Sequence, residues 1–409
     1  DIGKNIAKLL LENQGFAVFD LGKDGPAAAI VADVNGIIQA GQVGQDLLQK
    51  DPSQPFGLQS DLAQFVAGLQ QLDETDFVVI DLGDTSRALS YSGYVLEEIR
   101  LAFRQQALVQ LDLLLGYILD NAGEDDLLLV TGLQSDRILG SQEGKLLTPV
   151  LAYGKGFADG LLTSPTTRRR GVIANYDITA TILQRFDLYT PGEIHGQPMS
   201  SLAAAEPLPY LLAREQQMAM VYKLRAPLVK AYIGVIIILV GLSLAALFLN
   251  WRRRAALKLA VASVVASPLI LLLLGAISGS YWMIALWPLL AIGLALVLGK
   301  LRPEIAMPVL GAITALTVVG DALLGAWLQQ RSILGYDAIA GARYYGIGNE
   351  YMGVLLGSTL LAVSGLKGRC KGVAGLIFAL TTILLMLPGV GSNFGGTLSA
   401  LLGFTVALT

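Results

Sequence analysis

Cysteine and histidine are nearly missing from this 409-residue chain, which has one of each, Cys370 and His195. A lone cysteine excludes an intrachain disulfide and any cysteine-based zinc site. No Walker loop, dinucleotide fingerprint or nucleic-acid-binding patch occurs, so nucleic acid is not an expected partner. Acidic residues are scarce in one half only. Residues 216–409 contain Glu304, Asp321, Asp337 and Glu350 against 14 Lys+Arg, a net of +10. Residues 1–215 carry 28 Asp+Glu against 15 Lys+Arg, a net of −13. Two such different halves imply at least two domains, and the front one is long enough to bury its own core. The chain starts at Asp1 without methionine or a signal segment and stops at Thr409 in an apolar run. The expectation is a longer natural protein, with a signal or anchor helix ahead of Asp1 and a truncated C-terminus.

What the back half does have is long apolar runs. A membrane-crossing helix needs about 20 mainly apolar residues. Such runs cover 231–249, 255–277, 281–299, 305–328, 351–366, 372–387 and 396–409, which predicts about seven transmembrane helices and the lipid bilayer as a partner. Basic residues set the orientation. The loops after the first, third and fifth runs hold Arg252, Arg253, Arg254, Lys258, Lys300, Arg302, Lys367, Arg369 and Lys371, whereas the alternate loops hold only Arg331 and Arg343. The basic loops are therefore expected in the cytoplasm, which places the front domain outside it. The predicted organisation is an extracytoplasmic α/β domain over residues 1–205, a connector over 206–230 and an all-α polytopic membrane domain over 231–409. The connector reads as a helix with an apolar stripe of Leu211, Leu212, Met218, Val221 and Leu224, either lying on the bilayer surface or plainly solvated.

Polar groups collect near the outer ends of these runs. Asp321 falls 16 residues, roughly 24 Å, along the fourth run from its cytoplasmic start at Ile305. An intramembrane carboxylate is costly, so it is either functional or in an ion pair with Arg331 or Arg343. The following loop places Arg343, Asn349 and Glu350 among glycines, and a polar glycine-rich loop must line a cavity or pack on protein. Two segments echo each other: Gly346-Ile-Gly-Asn-Glu-Tyr-Met-Gly353 and Gly389-Val-Gly-Ser-Asn-Phe-Gly-Gly396. Each opens a helix, so two helix N-termini would face one shared site, with Asn393 in the second echo and Arg343 beside the first. Asp321, Arg343, Asn349, Glu350 and Asn393 are thus candidate binding residues for an anion such as a phosphate, carboxylate or lipid headgroup. The other reading is that the glycines serve close helix packing.

In the front half, apolar runs over 27–34, 77–82, 126–131 and 150–153 read as strands. They alternate with helical patterns over 1–14, 94–121 and 177–186, the last capped by Asp177. The 94–121 helix is expected to turn Leu96, Ile99, Leu108, Leu111 and Leu115 to one side. Alternation of this kind predicts an α/β domain with a mainly parallel sheet. Arg168, Arg169 and Arg170 form a basic run in an acidic domain, either a solvated loop or an anion contact near the membrane.

Three stretches carry a resemblance: the strand over 126–131 leading to Ser135-Asp136, Thr148-Pro-Val-Leu-Ala-Tyr-Gly154, and Gly171–Leu183 followed by Gly196-Gln-Pro-Met199. Over about residues 75–200 they resemble the C-terminal half of the alkaline phosphatase superfamily. Thr163–Arg170 and the Tyr345–Glu350 loop are also similar to bacterial membrane proteins of uncharacterised function that carry such a domain. The superfamily implies a Ser or Thr nucleophile and two divalent metals held by Asp and His. Here the expected Ser-Asp-His-Gly reads Ser135-Asp136-Arg137-Ile138, and the Asp-x-x-x-His stretch reads Asp84-Thr-Ser-Arg87-Ala. One histidine cannot replace several ligands at a two-metal site. The resemblance therefore implies a pseudoenzyme with no resident metal, a binding or regulatory module in the bacterial cell envelope above a membrane domain that handles an anionic, lipid-linked substrate. If it is catalytic, Asp84, Arg87 and Asp136 are the candidate residues, with Asp81 beside them. The cofactor would then be Mg²⁺ or Mn²⁺ held by carboxylates, in a phospho- or sulfo-ester hydrolase or headgroup transferase. A third reading is a transporter whose glycine loops form the substrate site. Asp84 and Arg87 would otherwise pair at the ligand edge of the sheet.

Overall fold

The computed structural model describes residues 28–32, 38–43, 45–70, 77–132, 135, 144–248, 254–277, 281–341, 343–366 and 370–408. The predicted helix over 1–14 and Asp136 lie outside the described residues. The chain divides into two compact units, one of residues 1–133, 149–166 and 173–203, the other of 134–148, 167–172 and 204–409. The short segment 167–172 thus belongs with the back half of the sequence.

The first unit is α/β, built of small sheets. Strand β1 (Ala28–Ala32) is central to a three-stranded sheet between β2 (Ile38–Val43) and β5 (Phe77–Asp81). Three hairpin-like pairs accompany it: β3 (Leu48–Lys50) with β4 (Leu58–Ser60), β6 (Leu127–Thr131) with β7 (Val150–Gly154), and β8 (Leu161–Thr163) with β9 (Ser200–Leu202). Every one of these pairings is antiparallel. The strands at 77–82, 126–131 and 150–153 stand where their apolar runs predict. The mainly parallel sheet is not found among the described residues, because an apolar run marks a strand without encoding its direction.

Among the described residues this unit also has four α-helices: α1 (Leu62–Gln70), α2 (Asp84–Tyr91), α3 (Glu97–Asn121) and α4 (Asn175–Arg185). Its core gathers Leu47, Phe65, Leu82 and Leu114. On α3 the inward stripe is Ala107, Leu111, Leu114 and Ile118, spaced at four, three and four residues as a helical face requires. The expected stripe differs: Leu96 is 75 % and Leu108 47 % exposed. Leucines surround this helix, so periodicity alone does not select its buried side.

The second unit is helical. Among the described residues its seven α-helices are α5 (Pro207–Phe248), α6 (Arg254–Leu274), α7 (Trp282–Leu298), α8 (Pro303–Leu323), α9 (Asn349–Ser364), α10 (Lys371–Met386) and α11 (Phe394–Leu408). Each coincides with one predicted apolar run. α5, α8 and the helix over 255–277 are long and apolar enough to cross a membrane, and α7, α10 and α11 are shorter apolar helices. The chain therefore carries a helical membrane part. Pro303 occupies the first turn of α8, where its missing N–H costs nothing.

The connector is helical, as its sequence predicts. α5 is continuous across it for 42 residues, roughly 63 Å at 1.5 Å per residue, twice what a bilayer core needs. Arg214 and the run from Gln217 to Val221 are buried, whereas Leu208, Leu211 and Leu212 of the same segment are exposed. The C-terminal half of α5 instead presents Ile237, Val240, Leu247 and Phe248, all more than half exposed, as an apolar surface suited to lipid.

Candidate functional site

In the second unit, the loops that join α8 to α9 and α10 to α11 meet at one end of the helices, and the echoing glycine segments clasp one another. Ile347 N–H donates to the Gly391 carbonyl at 2.8 Å. Asn393 Nδ2 donates to the Ile347 carbonyl at 2.9 Å and to Asn349 Oδ1 at 3.3 Å. Asn393 Oδ1 accepts from Gly396 N–H at 2.8 Å and so caps α11. Arg343 Nη1 donates to the Ser392 carbonyl at 3.0 Å, from the first loop to the second. Gly346 makes the approach feasible: it has φ +83°, and a Cβ there would strike the Gly391 carbonyl at 2.5 Å. The two expected helix N-termini are therefore brought together. Close packing explains Gly346, Gly391 and Gly396 but not Gly353, where a Cβ would meet nothing within 4 Å, and Asn393 itself occupies part of the α11 terminus.

Asp321 lies in the last turn of α8 and pairs with neither arginine expected for it. Its carboxylate accepts from Leu328 N–H at 2.7 Å, Gln329 N–H at 3.0 Å and Gln329 Nε2 at 3.2 Å. It is 7 % exposed and holds the turn after the helix, where main-chain donors replace the cation. Glu350 pairs with Arg225 of α5 at 2.5 Å, with both side chains partly exposed. Asp337 accepts from Ile339 N–H at 2.8 Å, and burial pushes its pKa above the ordinary carboxylate value.

Arginines crowd the same layer. Arg169 is 3 % exposed; its Nε donates to the Tyr344 carbonyl at 2.7 Å and its guanidinium lies 5.3 Å over the Tyr336 ring. Burial lowers its pKa, opposed by Tyr336 and Asp337. Arg168 stacks 4.2 Å over Tyr345 and presses on Gly389, whose φ of +86° and missing Cβ leave it room. Arg170 lies 5.8 Å over Tyr210. Within this run Arg169 is buried, whereas Arg168 and Arg170 lie over aromatic rings of their own unit and stay exposed. Arg331 stacks 3.9 Å over Trp327, its Nε buried without a hydrogen bond. Arg214 binds Gln217 and reaches Gln330 Oε1 at 3.3 Å, within electrostatic range of Arg169 and Arg331. The Tyr336 hydroxyl, pushed up to about 12 by burial, feels Arg169, Asp321 and Arg343.

Arg214, Arg331 and Arg343 have no carboxylate partner within salt-bridge distance among the described residues. Sequence reasoning missed Arg214 as a site residue, although a signal existed. Leu211, Arg214, Met218 and Val221 follow at three, four and three residues, which places a guanidinium on the apolar stripe of the helix.

In the first unit the predicted pair does form. Arg87 Nη2 donates to Asp84 Oδ1 at 2.7 Å, to Ser60 Oγ at 2.9 Å and to the Leu82 carbonyl at 2.9 Å. Ser60 N–H donates to the same carboxylate oxygen at 3.1 Å. Asp84 opens α2, and Asp81 Oδ1 accepts from Gly83 N–H at 2.9 Å in the turn before it. His195 is exposed. Among the described residues no three of His, Cys, Asp and Glu gather as a metal-ligand set would require.

Asp177 is a structural hub, fully buried and inside the first turn of α4; the cap expected of it sits three residues earlier, at Ala174. Its carboxylate accepts from Ser164 Oγ at 2.6 Å, Thr166 Oγ1 at 2.5 Å, Ala174 N–H at 2.8 Å and Gln197 N–H at 3.0 Å. The Thr-Ser-Pro-Thr and Gly-Gln-Pro-Met pieces are thereby tied to one carboxylate. No protein-family model matches the chain, and neither a curated protein nor a solved structure matches it significantly.

Proposed function

We propose that this is a multi-pass protein of the bacterial cell membrane whose loop layer binds the anionic phosphate or carboxylate group of a lipid-borne substrate. One observation carries the reading: Arg214, Arg331 and Arg343 stand without a carboxylate partner among the described residues, in a layer that also buries Arg169. Uncompensated guanidinium charge in a poorly solvated layer is costly, and an anion relieves that cost. Guanidinium matches phosphate and carboxylate through its planar fork of donors. The asymmetry of basic residues between alternate loops supports an extracytoplasmic position for this layer and for residues 1–205. The front unit is proposed as a non-catalytic module of alkaline phosphatase-like ancestry. Supporting this, Asp84, a candidate metal ligand, is held by Arg87 and Ser60.

The test is lipid retention by the full-length protein in nanodiscs, with bound molecules counted by native mass spectrometry. Phosphatidylglycerol is expected to be retained over phosphatidylcholine, and the preference to shrink as salt screens the partly exposed charges. Inorganic phosphate in solution forms a second arm, in which competition would identify the bare anion as sufficient. Equal retention of the two lipids, together with no effect of phosphate, would remove the reading.

A further inference from the structure

A second site lies in the first unit and stands independently of the anion layer. Helix α3 sets Ala102, Gln105, Gln106, Val109 and Gln110 on one face, at spacings of three, one, three and one. Gln54 and Gln59 come from the β3–β4 hairpin and face them across an open groove of about 380 Å³. Among the described residues five glutamines line this groove, and no charged side chain does. Each primary amide offers two N–H donors and one carbonyl acceptor, so the lining bonds neutral groups that both donate and accept.

Beside the groove is a recess of about 10 Å³, room for one water-sized group, which shares Gln54, Gln59, Gln106 and Gln110 with it. Asp84, Arg87 and Phe103 also line the recess. Asp84 Oδ2 and Arg87 Nε of these lining residues are buried without hydrogen-bond partners, and Asp84 is 7 % exposed. One atom short of a donor and another short of an acceptor are complementary to a hydroxyl, which supplies both. Asp84 and Arg87 neutralise each other, so the recess, like the groove, offers no net charge.

An aromatic ridge runs from the same recess. Phe103 packs edge-on against Tyr91 at 5.9 Å, and Tyr91 in turn meets Phe56 at 4.9 Å and Tyr94 at 5.7 Å. Phe56 is 52 % and Tyr94 77 % exposed, although both are large apolar rings. Exposed rings beside an uncharged amide lining suit a ligand with flat C–H faces and hydroxyl edges. We infer that this groove binds a neutral oligosaccharide. Sugar faces stack on the Phe56–Tyr94 ridge, glutamine amides bond the hydroxyls, and one hydroxyl enters the recess over Asp84 and Arg87.

The experiment uses the full-length protein in phosphatidylcholine nanodiscs, which avoids sugar-headed detergents, titrated with cellotetraose, maltotetraose, chitotetraose and the acidic tetragalacturonate. At least one neutral tetrasaccharide is expected to bind saturably, and tetragalacturonate is not. The double variant Gln106→Leu/Gln110→Leu is expected to weaken binding by about tenfold or more, through two lost hydrogen bonds. Tyr94→Ala, at an exposed ring, is expected to weaken it severalfold without lowering the unfolding temperature. If the double variant unfolds, Tyr94→Ala decides alone. The inference is overturned if no neutral tetrasaccharide binds, if tetragalacturonate binds equally, or if the folded variants bind like the wild type.

Discussion

Replacing Arg331 and Arg343 together by glutamine is expected to weaken phosphatidylglycerol retention by about a hundredfold and to leave phosphatidylcholine retention unchanged. Each guanidinium removed takes away a charge-assisted contact worth about 1.5 kcal/mol, and 1.4 kcal/mol is about tenfold in affinity. Glutamine keeps a donor, so the Arg343 bond to the Ser392 carbonyl has a substitute and the loops stay clasped. Arg331 makes its described contact with the face of Trp327, which a glutamine side chain also covers. The parallel lysine variants keep the charge and lose the fork, and they are expected to fall between the two. Phosphatidylglycerol retention measured on all three proteins checks this, and an unchanged value in the glutamine variant would contradict it.

Asn393→Ala has the other large expected effect, on stability. The side chain caps α11 through Gly396 N–H and bonds the Ile347 carbonyl across the two loops. Losing a cap costs about 1 kcal/mol. Leaving a buried acceptor unpaired costs about 1–3 kcal/mol more. The sum, about 2–4 kcal/mol, should lower the unfolding temperature of the protein in nanodiscs. Asn393→Asp keeps the capping oxygen and loses the Nδ2 donor, so it should fall between. If Asn393→Ala melts with the wild type, the two loops are not held together as described.

Both variants act on residues that the sequence points to, but by different routes. The helices were legible because lipid-facing runs need uninterrupted apolar residues, and each of the seven runs became a helix. The echoing glycine loops were legible as a pair, since close backbone approach demands glycine in both. Partnership was not legible. Asp321 reads as an ion-pair candidate, yet main-chain and Gln329 donors hold it, and local turn geometry leaves no trace in spacing. Arg214 was hidden because the connector reads as a bilayer-surface or solvated helix, while Arg214 and Gln217 to Val221 are buried. The glutamine face of α3 reads like any solvated helix face until the β3–β4 hairpin is set opposite it. Strand direction was lost for a similar reason: β1 pairs antiparallel with β5, a relation between distant segments that neither run encodes.

The anionic lipid proposed for the arginine layer of the loop ends would lie close to a tryptophan. Trp327, 45 % exposed and stacked on Arg331, is a natural reporter there. The most direct measurement takes the full-length protein with Trp251, Trp282 and Trp287 replaced by phenylalanine, and compares quenching of Trp327 fluorescence by brominated phosphatidylglycerol and brominated phosphatidylcholine. Stronger quenching by the anionic lipid is expected, at a lower mole fraction, with the difference reduced by Arg343→Gln. Equal quenching by the two lipids would contradict it.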